Sequence, residues 1–185
     1  MTISLVRESA AARSLAAAAL TDRLPKDFGA HPAPGTLAVL PLYGIPNDHM
    51  LSRAYHHSWC WGWRYFWLHP DFEKGAVVDI RRTRGGRAKL QRYATGTWVQ
   101  RVTSAMAETA TRHAQSGERL RPRILRLPEI QMEAFWLSPA TREGGSYFKS
   151  LLDSLEDDAF AFEASRRIRE LVPEQGRYNK RAPAR

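Results

Sequence analysis

An aromatic segment at 58–69, SWCWGWRYFWLH, holds four of the six tryptophans of the chain. Side chains two positions apart in a β-strand point to the same side. As a strand, the segment would place five aromatic side chains on one face: Trp59, Trp61, Trp63, Tyr65 and Trp67. Since each ring buries roughly 150–250 Å², this face predicts the core side of a sheet, with Trp59 or Trp63 largely buried. The alternative is an exposed surface on which bases or sugars would stack or a partner protein would dock.

Length and composition limit the class of protein. A chain of 185 residues that is 43% hydrophobic can bury a core without metal ions or disulfides. Its single cysteine excludes an intramolecular disulfide and a multi-cysteine zinc site. The sequence contains no apolar run of about 18–20 residues, the length of a membrane-spanning helix. These features predict one domain over 1–174, a cytoplasmic location, no cofactor and no membrane span. Residues 175–185 are predicted to form a basic flexible tail.

Hydrophobic periodicity predicts the α+β class: a mainly antiparallel sheet of four or five strands, with helices packed on one side. An Ala-rich segment predicts an N-terminal helix that ends near Pro25. Two further helical segments are expected, one from Thr97 to near Gly117 and one over 147–172, the latter either as one element or broken near Asp157. Strands are expected at 36–42, 58–69, 76–82, 88–95 and on both sides of Pro128.

Metal-type side chains cluster only near the aromatic segment, at His56, His57, Cys60 and His69. A helix there would let His56 and Cys60 share a zinc ion. In a strand they lie roughly 13 Å apart, at about 3.3 Å per residue, so no metal site is predicted. No Cys–His or carboxylate pair carries a surrounding signature, so no catalytic residue is assigned and a non-enzymatic protein is favoured. Asp79 interrupts an apolar pattern and is expected to point outward.

Positive charge is concentrated in one part of the chain. Residues 81–126 contain twelve Lys or Arg and two acidic residues, a balance of +10 in a chain whose net charge is +9. Such a field favours an anionic partner, either nucleic acid or an acidic protein surface. The residues expected to contact nucleic acid are Arg81, Arg82, Arg84, Arg87, Lys89, Arg92, Arg121 and Arg123.

Two function classes follow from these patterns. The first is a non-enzymatic protein that binds nucleic acid or another polyanion through its Arg-rich surface. The alternative is an interaction or assembly subunit that docks on a protein through the aromatic strand or the C-terminal helix, in a homo- or hetero-oligomer. Co-purifying nucleic acid would favour the first class. A complex that survives high salt would favour the second, because salt screens contacts between exposed charges.

Overall fold

The computed structural model describes residues 8–28, 36–69, 75–114, 120–139, 145–151 and 159–178. The strands are β1 (Thr36–Gly44), β2 (Trp59–Leu68), β3 (Gly75–Arg82), β4 (Ala88–Thr95), β5 (Leu120–Leu127), β6 (Met132–Pro139) and β7 (Tyr147–Ser150). The helices are α1 (Ala10–Phe28), α2 (Asn47–Leu51), α3 (Thr97–Ala114) and α4 (Ala159–Tyr178). Short 3₁₀ turns occur at Tyr55–His57 and Pro128–Ile130.

The described strands form one sheet in the order β4-β3-β2-β1-β5-β6-β7. Neighbouring strands are antiparallel except β1 and β5, which run parallel at the centre through Leu42 opposite Ile124 and Tyr43 opposite Leu125. A parallel pair needs a long crossover, and here the crossover contains β2, β3, β4 and α3. The predicted α+β class with a mainly antiparallel sheet is confirmed, but the sheet has seven strands rather than four or five.

Helices cover both faces of the sheet, not one as predicted. On the α1/α4 face, α1 packs on β2 and β3 around Trp63 and Trp67, while α4 packs on β6 and β7 around Trp136 and Phe148. On the opposite α3 face, Val99 and other residues of α3 pack on β1, β3 and β6. The reason lies in strands such as β3, which is buried continuously from its first residue to its sixth and needs cover on both faces.

Helix α1 begins where Ser9 Oγ accepts a hydrogen bond from the Ala12 amide at 3.2 Å. It packs through a stripe of mostly small residues: Ala12, Ala16, Ala19, Leu20 and Leu24. The helix does not end near Pro25 but continues to Phe28, whose ring lies 5.2 Å from that of Trp67. Packing of this last turn on the sheet therefore outweighs the local effect of the proline.

The prediction of a helix over 147–172 is wrong in its first part. Residues Tyr147–Ser150 form β7, in which Phe148 and Ser150 are buried and their neighbours are half-buried. Over four residues this pattern cannot be distinguished from a helical one by sequence alone. Helix α4 then runs from Ala159 to Tyr178, and the rest of the predicted tail lies outside the described residues. No helix in the described part of the chain is both long and apolar enough to cross a membrane.

Candidate functional site

An open cleft of about 330 Å³ lies on the α3 face, at the lower end of the size range of ligand sites. Helix α3 covers the other end of this face, where Val99 packs beside Gly75 at the start of β3. The cleft begins where that cover ends, near Arg81 at the end of β3. Its lining includes Asn47, Trp59, Trp61, Gln91, Arg126 and Glu129.

A β-bulge in β2 forms the base of the cleft. Leu42 of β1 pairs with Gly62, and the next residue, Tyr43, pairs with Cys60. Trp61 is therefore an extra residue without a partner on β1. Because of this extra residue, each side chain N-terminal to the bulge points to the face opposite to the one expected from simple alternation.

The predicted shared aromatic face is wrong because of this bulge. Trp63, Tyr65 and Trp67 remain together in the core beneath α1, with Trp63 only 5% exposed. Trp59 and Trp61 instead line the cleft on the opposite face, where Trp59 is 51% exposed. The four tryptophans thus divide into a buried pair and a pair in the cleft. The expectation that Trp59 or Trp63 is largely buried is met by Trp63.

Gly62 permits the bulge. A Cβ atom on Gly62 would lie 2.2 Å from the carbonyl oxygen of Ile80 and 3.1 Å from the Cα atom of Arg81. Both are backbone atoms of β3, so neither can turn aside as a flexible side chain could. Glycine inside a strand is a known signal of a bulge or of a close backbone approach. The sequence therefore contained a sign that the alternation of the tryptophans would break.

A second bulge lies in β4, which is on the other side of β3 from the first bulge. Asp79 pairs with Arg92 and Ile80 pairs with Leu90, so Gln91 is the extra residue. Gln91 also lines the cleft. Bulges are over-represented beside functional sites, where they re-aim side chains. Two bulges that direct their extra residues into one cleft identify this end of the sheet as the candidate site.

A buried ion network underlies the cleft. Arg64 donates hydrogen bonds from Nε and Nη2 to the two carboxylate oxygens of Asp79, at 2.6 and 2.8 Å. It also contacts both carboxylate oxygens of Glu133, including a bond from Nη2 to Oε2 at 3.0 Å. Arg126 lies beside these acids, with Nη1 3.7 Å from Asp79 Oδ2 and Nε 3.8 Å from Glu133 Oε2. Two cations thus balance two anions.

The network corrects the expectation that Asp79 points outward, since Asp79 and Arg64 are both 0% exposed. Arg64 stands directly opposite Asp79 in the β2–β3 register, so each side chain neutralises the other. Burial by itself lowers the pKa of Arg64, but the hydrogen bonds and charges of Asp79 and Glu133 outweigh burial and raise that pKa. Arg64 therefore stays charged, and its role is to stabilise the buried network.

The basic residues predicted to contact nucleic acid do not form one surface. Arg81, Lys89 and Arg92 lie on the α3 face, with Arg81 in the cleft and Arg92 stacked 4.3 Å from the ring centre of Trp98. Arg84 and Arg87 are exposed in the turn between β3 and β4. The pairing of Arg82 with Ala88 places Arg82 on the α1/α4 side of the sheet.

The remaining two predicted residues, Arg121 and Arg123, lie on the α1/α4 face. The guanidinium of Arg123 stacks 4.3 Å from the ring centre of Tyr43 and 4.9 Å from that of Trp136. Burial lowers the pKa of Arg123. Arg121 is two residues away on the same strand and shares this face. These two residues are therefore separated from the cleft by the sheet.

Cys60 lies on the α1/α4 side of the first bulge. Burial raises the pKa of its thiol, although the backbone of Gly62 and the charge of Arg123 partly oppose this. His49 and His57 stack with ring centres 4.1 Å apart. Among the described residues, no group of three or more His, Cys, Asp or Glu is arranged to hold a metal ion.

The polar wall of the cleft lies on the β5 side. Asn47, at the start of α2, donates a hydrogen bond from Nδ2 to Glu129 Oε2 at 2.7 Å, which joins α2 to the second 3₁₀ turn. Arg81 and Gln91 form the opposite wall, because β3 and β4 lie on the other side of β2. The arrangement can stack a flat ring, attract an anion and accept hydrogen bonds. Comparisons of the chain with protein-family models, curated proteins and solved structures find no match.

Proposed function

We propose that the protein binds nucleic acid, without catalysis, through the cleft and the adjoining β3–β4 hairpin. The observation that carries this proposal is the position of a half-exposed tryptophan, Trp59, beside Arg81 in one open cleft. Aromatic rings that stack bases, next to cations that follow the phosphates, are the usual means of binding single strands.

The hairpin supplies positive charge that no acid in the described part of the chain neutralises. Its cations are exposed and form no ion pair with a described residue: Arg81, Arg82, Arg84, Arg87 and Lys89. The network beneath the cleft is balanced by its own acids, so the hairpin dominates the local field. Neutralised phosphates release counterions, and this release makes the affinity depend on salt.

The test is the salt dependence of binding by a variant in which Arg81, Arg84, Arg87 and Lys89, the hairpin cations on the α3 face or in the turn, become Gln. Four phosphate contacts imply a log–log slope of about −3.6 for the wild type on duplex and about −2.8 on single strands. The variant should have a flatter slope and a lower affinity that changes little with sequence, because backbone contacts do not specify bases.

The matched control removes four exposed cations from the helices, at Arg13, Lys26, Arg112 and Arg169. It changes the net charge equally and should retain the wild-type slope if the hairpin is the contact surface. Absence of DNA and RNA binding by the wild type at low salt, where the electrostatic contribution is largest, would reject the proposal.

Docking on a protein partner is the second candidate, and one observation favours it. Phe162 on α4 is 72% exposed. The aromatic strand contributes less to this alternative, because Trp63 and Trp67 are buried. A complex that persists in high salt and is lost in Phe162→Asp would support docking through α4. A monomer under all conditions, measured by sedimentation, would exclude self-association.

A further inference from the structure

We propose that the cleft seats one nucleotide of a single strand, and this inference rests on the nucleic-acid binding proposed above. The base stacks on Trp59. The adjacent phosphate is held by Arg81 and Arg126. The amino group of the base is directed to Glu129. The ligand is single-stranded nucleic acid, with a preference for bases that carry an amino group.

Trp59 provides a fixed stacking surface. A Cβ atom on Gly44 would lie 2.8 to 3.1 Å from three atoms of the Trp59 six-membered ring, so the ring rests against the backbone of β1. About half of the side chain remains exposed, 51%. A ring held on one side and open on the other can stack a base. A base inside a duplex is paired and stacked, so only a single strand can offer it at low cost.

Two arginines can hold the phosphate. Arg81 lines the cleft from β3 and is exposed. A quarter of the Arg126 side chain is exposed, although its Nη1 is buried and makes no hydrogen bond within the described residues. The distances from Arg126 to Asp79 and Glu133, 3.7 and 3.8 Å, exceed those of hydrogen bonds. Nε and Nη2 of Arg126 therefore retain donors for an anion, and planar guanidinium groups match phosphate oxygens well.

The polar wall on the β5 side, which contains Glu129, can recognise a hydrogen-bond donor of the base. Glu129 accepts one hydrogen bond from Asn47, which fixes the carboxylate in place. A carboxylate has about four acceptor positions, so others remain. Cytosine, adenine and guanine carry an amino donor, whereas thymine has an oxygen at the position of the cytosine amino group. Glu129 should therefore favour cytosine over thymine, which are bases of similar size.

The experiment measures the affinity of the full chain for oligo-dC, for oligo-dT of equal length, and for a duplex. We expect the wild type to bind single strands more tightly than duplex. It should bind oligo-dC at least about tenfold more tightly than oligo-dT, because only cytosine can donate a hydrogen bond from its amino group to the charged carboxylate. Glu129→Gln should abolish the preference for oligo-dC. A wild type that binds both oligonucleotides equally would overturn the assignment of Glu129.

Trp59 is tested separately, because its side chain is exposed and its loss should not unfold the chain. Trp59→Ala should weaken single-strand binding about fivefold or more without changing the salt slope. Trp59→Phe keeps a ring and should retain most of the affinity. Leu37→Ala, at an exposed apolar position at the other end of the sheet, is the matched control.

The outcomes separate this inference from the function on which it rests. Equal binding of duplex and single strand, with no effect of Trp59→Ala, would overturn the seated nucleotide while leaving nucleic-acid binding by the hairpin intact. Absence of binding to every nucleic acid would reject the proposed function itself. Duplex binding that exceeds single-strand binding would also contradict the seated nucleotide, because paired bases cannot enter the cleft.

Discussion

At the residue scale, Trp63 and Trp59 are the same amino acid, four positions apart, with opposite roles. Trp63 is 5% exposed and packs beneath α1, whereas Trp59 is 51% exposed. We expect Trp63→Ala to lower the free energy of unfolding by about 3–5 kcal/mol. Trp59→Ala should lower it by less than about 1 kcal/mol, as surface changes do. Denaturant titration of both variants measures the difference, and equal losses would contradict the division of the tryptophans.

The buried network gives a second prediction for a single side chain. Arg64→Met removes the cation that both Asp79 and Glu133 contact, and leaves two buried carboxylates with only Arg126 nearby. The expected loss is about 3–5 kcal/mol, since removing one partner leaves an uncompensated charge. Arg166→Ala, which breaks exposed pairs on α4, is the control and should cost less than about 1 kcal/mol. Similar losses in urea unfolding would show that the network is not buried in solution.

Cys60 gives a prediction that depends on pH. Burial raises the pKa of its thiol above the usual value of about 8.5. Less thiolate is then present at neutral pH, so iodoacetamide should alkylate the folded protein more slowly than the unfolded chain. The folded rate should increase at higher pH than the unfolded rate. Alkylation at pH 7 as fast as in denaturant would contradict the burial of Cys60.

At the element scale, local sequence predicted β1 to β4 because each is a run of alternating or continuous apolar residues. Apart from the sign given by Gly62, it did not predict the bulges, because the residue that is left without a partner depends on the register between strands. Arg64 and Asp79 show the same limit. Each is a visible polar interruption, but only the β2–β3 register makes them partners. The parallel joining of β1 to β5 also has no local signal.

The first bulge can be tested through its glycine. Gly62→Ala would place a Cβ atom 2.2 Å from the carbonyl oxygen of Ile80, so β3 must move away from β2. We expect a loss of about 3 kcal/mol or more in the free energy of unfolding, at the upper end of the range for overpacked interiors. Gly85→Ala is the control, since a Cβ atom there meets nothing within 4 Å. A neutral Gly62→Ala variant would show that the two strands are not so close.

At the scale of the whole molecule, β1 joins two halves of the sheet, one formed by β2, β3 and β4 and the other by β5, β6 and β7. Helix α3 packs on strands of both halves, and Arg64 of β2 contacts Glu133 of β6. We therefore expect amides of β2 and of β6 to exchange with one common free energy of opening in native-state hydrogen exchange. Faster exchange of the amides of β5, β6 and β7 than of those of β2 would contradict this expectation and indicate two units that open separately.

The two bulges also have a genetic consequence. If Trp61 is left out, the other side chains of β2 alternate between the two faces as in an unbroken strand. The same holds for β4 if Gln91 is left out. Deletion of either codon would therefore leave every other side chain of β2 or β4 on its present face. A single in-frame deletion can thus remove Trp61 from the base of the cleft, or Gln91 from its wall, while every other side chain of the strand stays on its face.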